Sequence, residues 1–566
     1  MKVIIVGGVA GGASCAARLR RLDEKAEILM VERGPYVSYA NCGLPYHVGG
    51  VIKNEASLLV GNEQIFREQF TIDVRTGCEA VEISSKKKIV KLRDVASGKV
   101  SNHSYDKLVL SPGAISVHPP LPGIDLPGIF HVRTVPDVHQ INEFIEKGNP
   151  FLSGMHRYSG FQTLRPKTRA LVVGGGFIGL EMAENLIHRG FEVTLLQRGN
   201  QVLGPLDEEN ARIVEAYMKK HGVNIVLGDG ATAFKQGTKG GIEVETESGK
   251  NYPADVVILA IGVRPDSTLA KMAGLEIGER GGIRVDDQMH TSDPDIFAVG
   301  DAVEVKDFIT GEWSLIALAG PANRQGRIAA DVIAGRNSHF RGTQGTAIVG
   351  LFDAAVAWTG VSEKTLKRLG DTDYEKIYFY PNSHAGYYPG AKPIAMKVIF
   401  RKSDGKLLGA QALGLDGVDK RISVVAGMLQ MDATIFDLEE AELCYAPQFG
   451  SAKDPVNFAG MIAADVLRGD MPLCHWNESK TGFILDVREP FELAVENVPN
   501  AVNIPLGQLR ARLGELPRDW EIRVFCRSGQ RAYLATRILL QNGFKALIIS
   551  GGMLSLAHNY LFSPTE

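Results

Sequence analysis

The cysteines are the residues most able to do chemistry in this sequence, and two of them stand in settings that favour it. Cys42 and Cys526 are two of six cysteines in 566 residues, and no two of the six form a Cys-x-x-Cys pair. A zinc ribbon or a paired-cysteine redox motif is therefore not expected, and no metal site is predicted. A thiolate attacks disulfides, and a lone cysteine can cycle through a mixed disulfide with a small thiol or through sulfenic acid. Cys42 is predicted to react in one of these two ways.

Cys526 lies between an apolar run and two arginines, Arg527 and Arg531. The run predicts a strand that delivers the cysteine into a loop, where backbone N–H groups and the arginines can stabilise a persulfide. Four residues separate Cys526 from Arg531, whereas the loops of cysteine phosphatases hold one residue more and so make room for phosphate. The tighter loop favours a sulfur atom, and Cys526 and Arg531 are predicted catalytic residues.

A glycine-rich loop follows the first apolar run of the chain. In a dinucleotide-binding fingerprint the first glycine makes the turn, the second lets the backbone approach pyrophosphate, and the third lets the helix pack on the strand. Gly7 and Gly12 fit the first and third positions, and Val9 stands at the second. Glu32 lies 20 residues after Gly12, where a carboxylate can accept hydrogen bonds from a ribose. The predicted cofactor contacts of this loop are Gly7, Gly8, Gly11, Gly12 and Glu32.

A second glycine-rich loop matches the fingerprint at all three positions, with Gly174, Gly176 and Gly179. The strand that follows ends at Gln197 and Arg198, where sites that prefer NAD usually carry an acid. An arginine near this point can accommodate a 2′-phosphate, but Arg198 can equally be a solvated charge at the end of a strand. The sequence therefore leaves NADH and NADPH both open.

Two further stretches resemble the flavin-binding signatures of oxidoreductases with two nucleotide-binding units. One spans residues 105–113 and ends at Gly113, and the other spans residues 291–302 and includes Gly300 and Asp301. The resemblance implies bound FAD, with Asp301 accepting a hydrogen bond from the ribityl chain.

The first ~465 residues as a whole resemble the single-cysteine pyridine nucleotide-disulphide oxidoreductases, and coenzyme A disulfide reductases in particular. The stretches that carry this resemblance are residues 9–15, 41–42, 383–390, 419–422 and 445–447. Peroxidase and oxidase relatives have a histidine in the first glycine loop where this chain has Ala10. Its absence argues against peroxide or oxygen chemistry.

This resemblance implies a coenzyme A site and a homodimer. Serine and arginines of the first helix would hold the nucleotide part of coenzyme A, although Arg18 and Arg21 can also be a solvated helix face. Tyr445 and either Tyr387 or Tyr388, with Tyr388 preferred, would reach Cys42 of the partner subunit. The residues implied to bind coenzyme A are Ser14, Arg18, Arg21, Ser38, Asn41 and Lys453.

The C-terminal part of the chain resembles a rhodanese domain. Residues 485–489, 501–505 and 524–531 carry this second resemblance. Rhodaneses often have a Gly-His pair before an Ile-Pro-Gly turn, and this chain has other residues at 496–500. The resemblance implies that Cys526 carries sulfane sulfur.

The elements that must position these residues are predicted from hydrophobic periodicity and turn residues. Two strand–helix–strand units begin at residues 2 and 170, strands alternate after residue 343, and a linker at 469–472 precedes a final strand–helix series. The predicted fold is α/β, with two Rossmann-like nucleotide-binding domains for FAD and NAD(P)H, an α+β dimerisation domain and a C-terminal α/β rhodanese domain. The predicted boundaries are 1–120 with 270–335, 121–269 with a surface insertion near 151–168, 336–468, and 469–566.

Composition and charge bear on the partners and the cellular location of the protein. A net charge of −3 without a long basic run gives no electrostatic footprint for nucleic acid, and no run of about 18 purely apolar residues predicts a membrane span. So few cysteines in so long a chain favour reduced thiols in the cytoplasm.

These observations together predict a flavin-dependent NAD(P)H reductase of coenzyme A disulfide, coenzyme A persulfide or polysulfide, which acts through Cys42 with Cys526 as sulfur carrier. Two alternatives stay open. One is an NADH peroxidase or oxidase that cycles Cys42 through sulfenic acid. The other is a sulfurtransferase with a regulatory flavin module.

Overall fold

The computed structural model describes residues 1–146, 168–238, 240–478 and 482–556. Apart from Thr168, the insertion predicted at 151–168 lies outside these ranges. The chain forms two compact units, one of residues Met1–Asn200 and Gly222–Thr343, the other of residues Gln201–His221 and Gln344–Glu566. Among the described helices, none is both long and apolar enough to cross a membrane. The boundaries predicted for the domains stay predictions.

The first unit opens with a strand–helix–strand unit, as the sequence predicts. Its elements as far as residue 116 are β1 (Lys2–Val6), α1 (Ala10–Arg20), β2 (Glu27–Val31), α2 (Leu44–Val48), α3 (Glu63–Phe70), β3 (Asp73–Arg75), β4 (Cys78–Ser84), β5 (Ile89–Asp94), β6 (Val100–Ser104), β7 (Lys107–Leu110) and β8 (Ala114–Ser116). Strands β7, β1, β2 and β3 pair in parallel, and β4, β5 and β6 form a separate antiparallel sheet. The apolar residues of β1 are almost completely buried in the core between this sheet and its helices.

A second strand–helix–strand unit follows in the same half of the chain. Its elements are β9 (Ile129–Phe130), α4 (Val135–Glu146), β10 (Arg169–Val173), α5 (Phe177–His188), β11 (Glu192–Gln197), α6 (Glu208–Lys220), β12 (Val223–Leu227), β13 (Ala231–Gln236), β14 (Ile242–Thr246), β15 (Asn251–Ala254) and β16 (Val256–Leu259). Strands β12, β11, β10, β16 and β9 form a parallel sheet in that order. Helix α6 belongs to the second compact unit, although β11 and β12 on either side of it belong to the first.

The chain then returns to the first sheet. The elements are β17 (Val263–Pro265), α7 (Thr268–Met272), β18 (Ile283–Arg284), β19 (Ile296–Ala298), β20 (Val303–Lys306), β21 (Trp313–Ser314) and α8 (Ala319–Ile333). Strand β19 pairs in parallel with β7, and α8 packs along α1. These two helices can approach closely because Gly326 has no side chain. A Cβ atom at this position would lie 2.2 Å from the carbonyl oxygen of Gly11.

The second unit contains an antiparallel sheet flanked by helices. Its elements as far as residue 467, besides α6, are β22 (Ala347–Leu351), β23 (Ala354–Gly360), α9 (Glu363–Leu369), β24 (Tyr374–Phe379), β25 (Ile394–Arg401), β26 (Leu407–Gly414), α10 (Val418–Gln430), α11 (Ile435–Glu440) and α12 (Pro455–Leu467). The strand order is β22-β23-β26-β25-β24, and α10 packs on β23 and β26.

The C-terminal part is a parallel sheet with helices. Its elements are β27 (Leu473–Cys474), β28 (Phe483–Asp486), α13 (Pro490–Val495), β29 (Val502–Asn503), α14 (Leu506–Leu509), β30 (Glu521–Phe525), α15 (Gln530–Gln541), β31 (Lys545–Ile549) and α16 (Gly552–Leu556). The strand order is β27-β31-β30-β28-β29. Ile462 and Val466 of α12 pack against its core, and the Tyr378 N–H donates to Ser550 Oγ at 3.1 Å. This part is therefore docked on the antiparallel sheet domain, and the predicted fold class is confirmed.

Candidate active site

The loop between β1 and α1 has the tight geometry that a dinucleotide-binding turn requires. Gly7 has φ +97°, and a Cβ atom on Gly12 would lie 1.9 Å from the Gly7 carbonyl oxygen. Glu32 directly follows β2 and accepts hydrogen bonds from the N–H groups of Gly8 (3.0 Å) and Gly34 (2.8 Å). The predicted acid therefore lies against the predicted glycine loop.

The Gly300-Asp301 turn is tied to the segment that holds Cys42. The Gly300 N–H donates to Gln325 Oε1 of α8 at 2.7 Å, and Asp301 Oδ2 pairs with Arg133 Nη2 at 2.9 Å. The carbonyl oxygen of Arg133 accepts from Asn41 Nδ2 at 3.3 Å. One short network thus joins the second flavin-type signature to the residue before Cys42.

Arg133 also connects this network to the first flavin-type signature. Its Nε donates to the Ala114 carbonyl oxygen at 3.1 Å, directly after Gly113. Gly113 itself has φ +73°, a conformation that favours glycine. The two signatures predicted from sequence therefore lie around the same arginine.

Cys42 lies in a short 3₁₀ turn, Asn41–Gly43, immediately before α2, and its side chain is solvent-accessible. Neighbouring protein atoms nevertheless desolvate the thiol, and this raises its pKa, with a further contribution from the carboxylates of Glu181 and Asp301; Arg133 opposes them. The thiol therefore interacts electrostatically with Asp301 of one nucleotide-binding half and with Glu181 of the other. The protein groups alone favour the protonated thiol.

Glu181 is the acid that α5 presents to this site. Burial, and then the charge of Glu184, raise the pKa of Glu181 to about 7, while a hydrogen bond from the Tyr46 hydroxyl at 3.3 Å opposes the shift. Tyr46 belongs to α2, a few residues after Cys42. A carboxyl group that can hold a proton near neutral pH thus lies close to the predicted nucleophile.

The second glycine loop repeats the arrangement of the first with an amide in place of the acid. A Cβ atom on Gly179 would lie 1.8 Å from the Gly174 carbonyl oxygen, and no atom lies within 4 Å of one on Gly176. The Gly175 N–H donates to Gln197 Oε1 at 2.8 Å. Arg198 is 81 % exposed and pairs with Glu247 at 3.0 Å.

The residues predicted to hold coenzyme A on α1 lie along its contact with α8. Ser14 hydrogen-bonds Asn323, and Arg18 pairs with Asp331 at 2.8 Å. Arg21 is exposed at the end of α1 and Arg327 is exposed on α8. Arg18 is therefore a paired rather than a simply solvated residue, which the sequence could not indicate.

Ser38 lies between the first glycine loop and a neighbouring loop, and its backbone has φ +48°. Its N–H donates to the Gly8 carbonyl oxygen at 2.7 Å, and its own carbonyl oxygen accepts from the Val60 N–H at 2.8 Å. The structure thus holds Ser38 close to the loop predicted to bind cofactor.

The predicted tyrosines lie on the second unit. Tyr445 pairs through its hydroxyl with that of Tyr387 at 2.7 Å, while the ring of Tyr388 packs edge-on against His384. Of the two tyrosines left open by the sequence, Tyr387 is therefore the one in contact with Tyr445. Lys453 is exposed.

The Cys526 loop follows β30 as the sequence predicts. The Gly529 N–H donates to Cys526 Sγ at 3.2 Å, and Arg531 hydrogen-bonds the same side chain. The carbonyl oxygen of Cys526 accepts from the Met553 N–H at 2.9 Å, so the chain after β31 supports the loop. Glu492 of α13 pairs with Arg531 through two bonds of 2.6 and 2.8 Å.

Six residues that sequence reasoning missed join distant segments: Tyr46, Arg133, Glu181, Asn323, Gln325 and Glu492. Arg327, which is exposed on α8, was missed as well. None belongs to a recognisable motif, although Glu181 lies two residues after Gly179 on the face of a fingerprint helix. In the described ranges, no group of three or more His, Cys, Asp or Glu side chains could hold a metal ion.

Comparison with known families gives three matches along the chain. Residues 1–326 match pyridine nucleotide-disulphide oxidoreductase, residues 346–454 match the pyridine nucleotide-disulphide oxidoreductase dimerisation domain, and residues 474–558 match the rhodanese-like domain.

Similar proteins extend these matches. A coenzyme A disulfide reductase of Staphylococcus epidermidis is 33 % identical over 467 residues, 82 % of this chain and 99 % of that protein. An NADH oxidase of Methanocaldococcus jannaschii is 34 % identical over 471 residues, 83 % of this chain and 99 % of that one.

Two solved structures cover nearly the whole chain. The reduced CoADR-RHD of Bacillus anthracis has a TM-score of 0.93 and 45 % identity, covering 98 % of both chains. An NAD-dependent persulfide reductase from A. fulgidus has a TM-score of 0.88 and 37 % identity, covering 98 % of this chain and 100 % of the other.

Proposed function

The chain belongs to the pyridine nucleotide-disulphide oxidoreductase family, and we propose from this premise that it reduces sulfur–sulfur bonds of coenzyme A derivatives with electrons from NAD(P)H. The observation that carries the proposal is the position of Cys42, whose thiol interacts electrostatically with both Asp301 and Glu181. An accessible cysteine near the acids of both nucleotide-binding halves suits a thiol that receives electrons and passes them to a substrate.

The residues around the two loops fit the cofactors of this family. Glu32 offers carboxylate oxygens beside the first loop, and the open space above Gly176 leaves room for a pyrophosphate at the start of α5. FAD would be held by the first loop, Gly113, Gly300 and Asp301, and the nicotinamide nucleotide by the second loop, Gln197 and Arg198. Bound flavin would supply the group that takes a hydride from NAD(P)H and delivers two electrons to the thiol.

The sulfur chemistry belongs to Cys42. Its thiolate attacks the inner sulfur of coenzyme A persulfide, the one bonded to the coenzyme A carbon chain, and forms a Cys42–coenzyme A disulfide, while the outer sulfur leaves as hydrosulfide with the electron pair of the broken bond. NAD(P)H and a proton then return Cys42 and coenzyme A to thiols. Coenzyme A disulfide reacts in the same way and releases a coenzyme A thiolate. A polysulfide instead leaves its terminal sulfur on Cys42 as a persulfide and releases a shorter polysulfide, and NAD(P)H with a proton then returns Cys42 to the thiol and releases hydrosulfide.

Coenzyme A binding is proposed at the seam of α1 and α8. Arg21 supplies an exposed guanidinium group for phosphate, whereas Arg18, whose charge is already paired with Asp331, supplies hydrogen-bond donors with little net charge. Ser14 and Asn323 supply polar groups beside them. Arg327 of α8 adds a further exposed cation. Ser38 and Asn41 lie nearer the thiol, and Lys453 of the second unit stays a predicted contact.

We further propose a homodimer located in the cytoplasm. Residues 346–454 match a dimerisation domain, and Tyr387, Tyr388, Tyr445 and Phe449 of this region expose 77, 42, 50 and 60 % of their surface. Exposed aromatic clusters of this kind are typical of protein interfaces. The six cysteines all lie in the described ranges and none of them forms a disulfide bond there, which suits a reducing compartment.

The Cys526 loop supports a second role for the same chain. The Gly529 N–H and Arg531 both point at the sulfur, an arrangement that stabilises an anionic persulfide. Cys526 would carry sulfane sulfur to or from coenzyme A, and fusion to the reductase raises the effective concentration of the carried sulfur.

A Cys42→Ser variant tests the reductase. Turnover of NAD(P)H with coenzyme A disulfide, coenzyme A persulfide and polysulfide should fall about 1,000-fold or more, because the nucleophile is lost. Flavin reduction by NAD(P)H without a sulfur acceptor should persist. The matched control is Cys444→Ser, another exposed thiol, which should leave turnover unchanged. Reductase turnover that survives Cys42→Ser overturns the mechanism.

An oxidase is the second candidate, because the M. jannaschii relative carries that name. Ala10 argues against it, since the oxidase relatives have a histidine there. Oxygen uptake with NADH and the intact mass of non-reduced protein separate the two functions. A reducible coenzyme A adduct on Cys42 supports the reductase, whereas oxygen uptake and an oxidised Cys42 sulfur support the oxidase.

A further inference from the structure

The charges around Cys526 set an electrostatic condition on its substrate. Arg531 hydrogen-bonds the Cys526 sulfur, but its guanidinium is also held by Glu492 through bonds of 2.6 and 2.8 Å. Those hydrogen bonds from Arg531 lower the pKa of the Glu492 carboxyl, so it is ionised at neutral pH. The arginine nearest the sulfur is therefore neutralised by a carboxylate.

Two other described arginines near the loop, Arg488 and Arg527, add little positive field at the sulfur. Arg488 is buried and forms a two-bond pair with Asp486, with distances of 2.7 and 3.0 Å. Arg527 is exposed to solvent, where its charge is screened. Apart from exposed Arg527, each arginine here thus has a carboxylate partner.

Sulfane sulfur donors differ in how much positive charge they need. Thiosulfate is a dianion, and its transfer releases sulfite, a second dianion, beside the loop. An organic persulfide carries at most one negative charge near the reacting sulfur and releases a thiolate or thiol. A loop whose arginine is already neutralised binds the dianion poorly and penalises the persulfide much less.

The helix that supplies Glu492 also presents apolar side chains to solvent. Phe491 and Val495 expose 73 and 79 % of their surface and lie four residues apart, on one face of α13. An organic persulfide has an alkyl arm that such side chains can contact, whereas thiosulfate has none.

We propose that Glu492 makes Cys526 selective for sulfane sulfur carried by organic persulfides and selective against thiosulfate. In the transfer, the Cys526 thiolate attacks the outer sulfur of R–S–SH. The donor sulfur–sulfur bond breaks, R–S⁻ leaves with its electron pair, and Cys526 becomes a persulfide. This proposal rests on the carrier role proposed for Cys526, and it needs no nicotinamide or flavin.

The test compares two donors on the full-length protein with cyanide as acceptor, glutathione persulfide and thiosulfate. The wild-type kcat/KM for the persulfide should exceed that for thiosulfate at least about 100-fold, because a dianion meets an already neutralised loop. In Glu492→Gln the thiosulfate-to-persulfide ratio of kcat/KM should rise about tenfold, since one negative charge is lost while the amide still hydrogen-bonds Arg531. The matched control Glu496→Gln, which removes another acid next to α13, should leave the ratio unchanged.

Several outcomes overturn the proposal. Equal use of both donors by the wild type contradicts it, and so does a Glu492→Gln ratio equal to that of the wild type. Mass spectrometry must find the added sulfur atom on Cys526 after donor treatment, and Cys526→Ser must abolish both transfers. Because neither transfer requires NAD(P)H, failure of the reductase in the Cys42→Ser test leaves these results interpretable.

A second variant covers the case in which Glu492→Gln does not fold. Phe491→Ser changes an exposed residue and should lower kcat/KM for coenzyme A persulfide several-fold more than for cysteine persulfide, which has a shorter arm. Trp520→Ser, another exposed aromatic of this domain at 58 %, is the matched control. Equal effects on both persulfides contradict a role for α13 in binding the arm.

Discussion

We expect single side chains to decide which nucleotide each glycine loop accepts. Glu32 and Gln197 occupy equivalent places, each accepting an N–H from its loop, from Gly8 at 3.0 Å and from Gly175 at 2.8 Å. Because Gln197 Oε1 is used in this bond, its Nε2 is left to donate toward a ribose. A donor suits a 2′-phosphate, which only accepts hydrogen bonds, as well as a hydroxyl oxygen.

We therefore expect Gln197→Glu to lower kcat/KM for NADPH about tenfold or more relative to NADH, because a carboxylate repels the 2′-phosphate. The measurement is the rate of flavin reduction by each nucleotide, with binding of 2′,5′-ADP and 5′-AMP as a readout independent of turnover. Gln236→Glu adds an acid elsewhere in the same half and should change neither. An unaltered NADPH-to-NADH ratio in Gln197→Glu would falsify this reading of the ribose site.

Glu181 controls the thiol of Cys42 through its charge. Burial raises the pKa of Cys42 most, and the Glu181 carboxylate raises it further, so removing that charge in Glu181→Gln should lower the pKa and increase the thiolate fraction at a given pH. We expect alkylation of Cys42 by iodoacetamide at pH 8 to become about two- to fivefold faster. Peptide mass spectrometry over a range of pH measures it, with Glu68→Gln as a surface control. Slower or unchanged alkylation contradicts the electrostatic account.

At the scale of elements, the nucleotide loops depend on how closely a helix can approach a strand. α1 follows β1 through a turn in which a Cβ atom on Gly12 would meet the Gly7 carbonyl oxygen at 1.9 Å. That oxygen is backbone and cannot move away without shifting the strand. The position of α1, and with it the exposed N–H groups of the loop, is therefore fixed by a residue without a side chain.

Gly12→Ala should consequently reduce bound FAD per chain severely. It should also lower the unfolding free energy of the first unit by about 2 kcal/mol or more, and its melting temperature with it. The ratio of flavin to protein absorbance and a thermal melt measure both effects. Gly427→Ala is the matched control, because this glycine of α10 has no atom within 4 Å of an added Cβ. Full flavin content in Gly12→Ala would mean that the loop is not the FAD cradle.

At the scale of the whole molecule, a buried charge cluster secures helix α6 in the second unit. Lys397 is fully buried on β25 and pairs with Asp207 at 2.8 Å, Glu209 at 2.5 Å and Glu363 at 3.1 Å. Burial alone would raise the pKa values of Glu209 and Glu363. The charge of Lys397 is the largest opposing contribution, and together with hydrogen bonds to the two carboxylates it lowers both pKa values. One lysine thus holds the start of α6, the start of α9 and β25 together.

Lys397→Met should cost about 3–5 kcal/mol, because it leaves three carboxylates without their buried cation. The lowered pKa values also fix the pH response: the stabilisation is present above the ordinary carboxyl pKa of about 4.5 and is lost as the pH falls below it. Urea unfolding at pH 7 and pH 4 should therefore show a smaller pH effect in Lys397→Met than in the wild type. Lys402→Met, at an exposed lysine, should behave as the wild type; equal pH effects in all three proteins contradict the role of the cluster.

The sequence by itself determined the features that depend on neighbours along the chain. The glycine loops after β1 and β10, the acid at the end of β2, and the loop after β30 were all predicted, because turn geometry and strand periodicity are local. The α/β fold class and the family followed from the same motifs. The roles assigned to Cys42, Tyr388, Tyr445, Arg531 and the coenzyme A residues stay predictions.

Only the tertiary structure decided which residues pair across long distances in the chain. Arg133 meets Asp301 across 168 residues and Arg18 meets Asp331 across 313, while the Tyr445 hydroxyl hydrogen-bonds that of Tyr387. The neutralisation of Arg531 by Glu492 is of the same kind. Charged and hydroxyl side chains have many possible partners in a sequence of this length, and packing of the sheets and helices selects one of them. Neighbours along the chain thus identify the nucleophiles, whereas the tertiary structure determines which charged groups surround them.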